Sequence, residues 1–150
     1  MPKGSEELIN ARKEEIINAC ALLYETMSFK DITIRDIGAK TSFTRTSIYN
    51  YFQTKEEIFL ALLQREYEIW ISDIKELINL DLQLSAEEFS DKLAHTLEKR
   101  SCMLKLMSMN IYDMEVNSRI ENLVAFKKVY ADSLRAINCC LEKFFPSMSV

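Results

Sequence analysis

Glycine and proline are nearly absent from this chain, with two of each in 150 residues. Sheets closed by tight turns draw heavily on both, so their scarcity favours an all-α fold. No run of about 18 apolar residues occurs, which excludes a transmembrane helix and leaves no expected membrane partner. The N-terminal stretch is charged and lacks the apolar h-region of a secretory leader. Histidine occurs once, as His95, and the four cysteines (Cys20, Cys102, Cys139, Cys140) form no C-x-x-C pair. A zinc site and a disulfide framework are both disfavoured, no metal or cofactor is expected, and a reduced, cytoplasmic setting is the simplest reading. No acid–base or nucleophile constellation surrounds His95, so the chain is not expected to be an enzyme.

What is present is a chain with 48% hydrophobic and 28% charged residues, the balance of a folded globular protein. Its net charge of −4 hides an uneven distribution. Residues 30–55 carry Lys30, Arg35, Lys40, Arg45 and Lys55 against Asp31 and Asp36, a local +3, whereas residues 56–150 hold 11 basic and 16 acidic side chains. A basic patch on an acidic body marks a place where a polyanion binds.

Apolar spacing of three and four residues predicts a first helix, capped by Ser5 and running to about Met27, with Ile16, Cys20, Leu23, Tyr24 and Met27 inside. Thr33 opens a second helix through a capping-box variant with Asp36. Ile34 and Ile37 face inward, and Gly38 lets a neighbouring helix approach. Thr41, Ser42 and Phe43 form a turn. Thr44 caps a third helix with Ile48 and Phe52 inside. Thr54 and Glu57 make a capping box for a long fourth helix to about residue 79. Ser85 and Glu88 cap a fifth, a sixth covers Met103 to about Ile111, and a seventh runs from near Val116 to about Lys143. In that last helix Leu123, Phe126, Val129, Tyr130, Leu134, Ile137 and Leu141 are the expected core positions.

Thr33 to Lys55 therefore reads as a helix-turn-helix. The second helix of such a pair enters the major groove and presents short polar or planar donors from its N-terminal end. Arg45, Thr46 and Ser47 occupy that end. An arginine there matches guanine O6 and N7, and hydroxyls suit base edges. Tyr49 and Asn50 follow one turn later and suit phosphate oxygens or an adenine edge, while Thr33 and Lys55 suit phosphates. The bland alternatives are a core role for Tyr49, Tyr51 and Phe52, ordinary solvated charge for Arg45, and pairing with Asp31 or Asp36 for Arg35.

T33-I-R-D-I-G-A-K-T-S-F-T-R-T-S-I-Y-N-Y-F-Q-T-K resembles the DNA-binding domain of the TetR family of bacterial transcriptional regulators. That family shows a Thr-hydrophobic-Arg opening, an Ala-Gly-Val-Ser turn, a Tyr-x-(Tyr/His)-Phe run and a Lys three residues later. Tyr49, Tyr51, Phe52 and Lys55 match it, and Thr41-Ser42-Phe43 departs from it at the turn. The resemblance covers residues 8–65, and more weakly 101–127. It implies a DNA-contacting set of Thr33, Arg35, Arg45, Thr46, Ser47, Tyr49, Asn50 and Lys55. It also implies a three-helix DNA-binding domain at residues 1–53 and a helical ligand-binding and dimerisation domain at 54–150. Family members usually run some tens of residues longer, so either the dimer forms differently or the second domain is incomplete at its C-terminal end.

In the second domain Met103 and Met107, with Trp70, Phe89, Phe126 and Tyr130, form a candidate pocket for an apolar effector, although methionines in such a pattern are more often plain core. The expected function is a one-component regulator, a repressor, that binds a palindromic double-stranded operator as a homodimer and is released by a small molecule acting through the fourth helix. The rival reading is a helical protein–protein adaptor without DNA binding.

Overall fold

Helix caps and apolar periodicity dominate the architecture seen in the computed structural model, which describes residues 3–148 apart from Asn110, with backbone alone at Lys3 and Gly4. The described residues contain eight helices and no strand: α1 (Lys3–Tyr24), α2 (Ile34–Ala39), α3 (Arg45–Ile48), α4 (Lys55–Ile78), α5 (Ala86–Glu98), α6 (Ser101–Met107), α7 (Ile111–Val116) and α8 (Ile120–Phe144). They fall into two compact units. One is the chain up to Leu62 together with residues 110–123, and the other is residues 63–109 with 124 onward. The division cuts within α4 and within α8.

In the first unit the apolar faces of short helices close on one core. Ile16, Cys20, Ile32, Ile37, Ile48, Ile58, Phe59, Leu62 and Met114 are fully buried there. Tyr24 and Phe29 meet Phe59 edge-on at 5.3 and 4.7 Å between ring centroids. Burial of Ile32 and the Phe29–Phe59 contact draw the α1–α2 connection into this core. Ile34, expected inside, is only half-buried.

In the second unit Tyr67, Trp70, Ile74 and Leu77 of α4 supply one buried stripe. Tyr67 gathers Trp70, Phe126 and Tyr130 at centroid distances of 6.2, 6.1 and 5.7 Å. Trp70 Nε1 donates to Thr96 Oγ1 at 2.9 Å, which satisfies the indole where it is buried. Phe89 packs on Phe144 and Phe145.

Four expectations are corrected. Ser5 lies inside α1, which starts at Lys3, so it does not cap it. The sixth helix ends at Met107, and residues 111–116 form a separate helix; Asn110, inside the expected span, lies outside the described residues. The last helix starts at Ile120 rather than near Val116, because Asn117 Nδ2 and Ser118 Oγ donate to the carbonyls of Asp113 and Met114 at 2.8 and 2.6 Å and so close α7. In α8 the buried positions are Phe126, Ser133, Ala136 and Cys140, while Tyr130 and Leu134 are 41% and 49% exposed. The inward face is thus rotated from the one that the largest apolar residues marked.

Candidate nucleic-acid interface

The first unit places its polar side chains by capping. Thr33 Oγ1 accepts from Asp36 N at 3.1 Å, and Asp36 Oδ2 accepts from Thr33 N at 2.9 Å, a complete capping box. These hydrogen bonds also hold the Asp36 carboxyl below its ordinary value, the backbone N–H of Thr33 contributing most. At the other end of α2, Gly38 is buried against α3. A Cβ on it would sit 3.3 Å from Arg45 Cα and 3.4 Å from Ile48 Cδ1. Any side chain here would press on α3, which would have to give by a few tenths of an ångström.

The turn between the two helices departs in sequence from the usual small residues, yet it is relaxed. No described non-glycine residue has a positive φ. Thr41 Oγ1 lies 2.8 Å from the Gly38 carbonyl and 3.0 Å from that of Phe43. Ser42 N donates to Glu15 Oε1 of α1, a bond that heads the causes lowering the Glu15 carboxyl. Phe43 fills the turn between Arg12, whose guanidinium carbon is 5.3 Å from the ring centroid, and Tyr51 at 6.3 Å.

Thr44 then caps α3, accepting from Ser47 N, and its hydroxyl lies 3.1 Å from Ser47 Oγ. Ser47 is therefore partly committed to the cap, whereas Arg45, Thr46, Tyr49 and Asn50 are exposed. Ile48, fully buried, anchors this short helix from behind.

Five residues of the expected DNA-contacting set, Thr33, Arg35, Arg45, Tyr49 and Lys55, line one cleft of about 470 Å³. Lys30, Ile32 and Ile34 complete its wall. Four cationic side chains and no carboxylate line it. Thr46, Ser47 and Asn50 do not line that cleft. Lys55 is held inward: Nζ donates to the Phe29 carbonyl at 2.8 Å and lies 4.2 Å from the Phe29 ring centroid. An ammonium has three donors, so two remain for an anion in the cleft. Lys30 was visible in sequence only as part of the local charge; it stands exposed between half-buried Phe29 and fully buried Ile32, which draw its segment onto the cleft.

The start of α4 differs from the expected capping box. Thr54 Oγ1 accepts from Glu57 N at 3.1 Å, but Glu57 does not return to Thr54. Its Oε1 accepts from Gln53 N at 2.9 Å, and both carboxylate oxygens are taken by Arg119. Arg119 N also donates to Glu57 Oε2 at 2.7 Å, and Arg119 Nη2 donates to the Tyr51 carbonyl at 3.2 Å. Glu57 is 1% exposed. Burial alone would raise its carboxyl, but hydrogen bonds from the Arg119 side chain and from the backbone N–H groups of Gln53 and Arg119 outweigh it and bring the value to about 2. Arg119 is the residue that the sequence reading missed.

The candidate effector residues scatter. Trp70, Phe126 and Tyr130 meet around Tyr67, Phe89 stacks elsewhere, Met103 is fully buried and Met107 is 43% exposed. A cavity of about 510 Å³ in the second unit is lined by other residues of α4 and α8, among them Ile71, Ile78, Val129 and Ala136. No group of three potential metal ligands occurs among the described residues, and no helix there is long and apolar enough to cross a membrane.

Two family models match this architecture. Residues 13–62 match the one described as bacterial regulatory proteins, tetR family, and residues 64–150 match the tetracyclin repressor-like C-terminal domain. Among curated proteins, the chain is 28% identical over 86 residues to the uncharacterized HTH-type transcriptional regulator YdgC of Bacillus subtilis, covering 57% of this chain and 44% of that one. It is 29% identical over 63 residues to YfiR, a regulator of the same description and organism, covering 42% and 31%. It is 26% identical over 68 residues to the HTH-type transcriptional repressor Rv1474c of Mycobacterium tuberculosis, covering 45% and 36%. The matched stretch spans less than half the length of each relative.

Proposed function

The chain belongs to the tetR family of bacterial regulatory proteins, and from that premise we propose that it is a one-component transcriptional repressor whose first unit binds double-stranded DNA. The observation that carries this reading is the cleft at the helix-turn-helix, where Lys30, Arg35, Arg45 and Lys55 converge with Thr33 and Tyr49 and no carboxylate lines the wall. Such a cluster neutralises phosphates and sets the register of the protein on a duplex.

In this reading Thr33, Arg35, Tyr49 and Lys55 hold the backbone, with Lys30 added to them. Arg45, Thr46 and Asn50, exposed at α3 and just beyond it, face base edges. Ser47 serves mainly the cap of α3. Two heads of a homodimer meet a palindromic operator, and a small molecule bound by the second unit, near Trp70, Phe126 and Tyr130, releases it. The repressor named among the relatives supports that sense of regulation. The test is electrophoretic retardation of genomic duplex fragments. Retardation at low salt that disappears as salt rises supports the reading, and absence of any retardation at low salt overturns it.

A further inference from the structure

The link between α3 and α4 is six residues, 49–54, and it joins the recognition helix to α4. Phe52 is buried and anchors it, while Tyr51 is half-buried and Gln53 is exposed. Hydrogen bonds hold the rest of it, two of them from the far side of the sequence. Arg119 donates to the Tyr51 carbonyl, Glu57 accepts from Gln53 N, and Thr54 Oγ1 donates to the Asn117 carbonyl at 2.9 Å. Residues 117–119 thus touch the middle and the α4 end of the link. Although they fall within the C-terminal family match, they pack in the same compact unit as the helix-turn-helix.

Resting on the DNA-reading function above, we propose that Arg119 is a positioning residue for sequence recognition: through Glu57 and the Tyr51 carbonyl, it fixes the α3–α4 link and with it the pose of Arg45, Thr46 and Asn50. If Arg119 is withdrawn, Glu57 keeps its buried carboxylate with no cation to meet it, a situation that forces the link to rearrange or take in water. Because α8 begins at Ile120, the residue after Arg119, a displacement of the start of α8 acts on this tie directly.

The experiment uses a duplex that the unaltered chain recovers from a random-sequence library, a shuffled duplex of the same length, and the variants Arg119→Gln and Arg119→Lys. The readout is the ratio of affinities for the two duplexes. A loss of folded protein lowers both affinities equally and leaves the ratio unchanged; a misplaced recognition helix lowers the ratio. Arg119→Gln is expected to reduce the ratio by about tenfold or more, since one partner of a buried pair is removed. Arg119→Lys, which keeps the charge but loses the forked geometry, falls between. Amide exchange gives an independent arm: residues 48–57 speed up in both variants, while residues 16–24 do not. Folded variants with an unchanged ratio and unchanged exchange at 48–57 overturn the proposal. If the unaltered chain recovers no duplex, the DNA-reading function fails, and exchange alone decides the tie: acceleration confined to 48–57 upholds it, and uniform or absent acceleration overturns it.

Discussion

Arg119 and Glu57 stand 62 residues apart in the chain and meet through two parallel hydrogen bonds, Nε to Oε2 at 2.9 Å and Nη2 to Oε1 at 3.0 Å. The pair is bidentate and its carboxylate is buried, so it belongs with the strong charge-assisted contacts rather than the exposed ones. Other ion pairs sit in weaker settings: His95 with Asp91 and Glu98 is on the surface, and Arg100 lies 3.7 and 4.0 Å from Glu66 and Asp73.

Acid should expose this contact. Glu57 is held at about 2 in the folded chain against an ordinary 4.5. A depressed folded value means that the stabilisation is full above the unfolded value and is lost as pH falls towards the folded one, here between 4.5 and about 2. Urea denaturation across that window should show the parent chain losing about 3 kcal/mol more than Glu57→Gln, which has no carboxyl to titrate there. Parallel pH curves for the two would show that the pair contributes nothing through ionisation.

Lys55→Ala should weaken binding to all duplexes alike and reduce the slope of log affinity against log salt by about one. The reason is that its ammonium borders the cationic cleft and contacts no base-reading side chain by hydrogen bond. The substitution also leaves the Phe29 carbonyl without its donor. A salt titration by fluorescence anisotropy checks it, and a change in sequence preference with an unchanged slope would refute the assignment.

Arg45→Ala should do the opposite. It should cost about 1–3 kcal/mol of discrimination at one base pair and much less on unrelated duplexes. Competition binding with single-position operator variants measures this directly.

Gly38→Ala tests the α2–α3 approach. In an open helix the change would help slightly, but here the added methyl meets Arg45 Cα at 3.3 Å, and backbone does not yield as a flexible side chain would. The expected result is a loss of about 1–3 kcal/mol in thermal or chemical denaturation, with weaker DNA binding because Arg45 moves.

Much of the helix-turn-helix was legible in sequence because its signals are local. The Thr33 and Thr44 caps and the close approach at Gly38 each depend on a few neighbouring residues. The clustering of Thr33, Arg35, Arg45, Tyr49 and Lys55 on one cleft follows from those helices once their ends are known. Two kinds of feature were not legible. Glu57 satisfied a local pattern, T-x-x-E, that its carboxylate abandons for a partner 62 residues away, and no periodicity announces such a partner. In the last helix the large apolar residues gave a false face. Phe126, an expected core position, is buried, but burial otherwise follows the small residues Ser133, Ala136 and Cys140, while Tyr130 and Leu134 stay exposed. Periodicity weighted by side-chain size cannot separate an inward stripe from an adjoining apolar one. The break before Ile120 was missed for a related reason: Asn117 and Ser118 close α7 by side-chain hydrogen bonds within a stretch that is otherwise helix-compatible.

The central claim is that the cationic cleft at Thr33, Arg35, Arg45, Tyr49 and Lys55 reads a duplex. The most direct measurement is affinity for duplex DNA against salt concentration, starting near 50 mM. Engagement of phosphates by Lys30, Arg35 and Lys55 of one cleft predicts a log–log slope of about −2.7 per head, shallower by about one for Lys55→Ala. No binding at the lowest salt, or an affinity that does not change with salt, would contradict it.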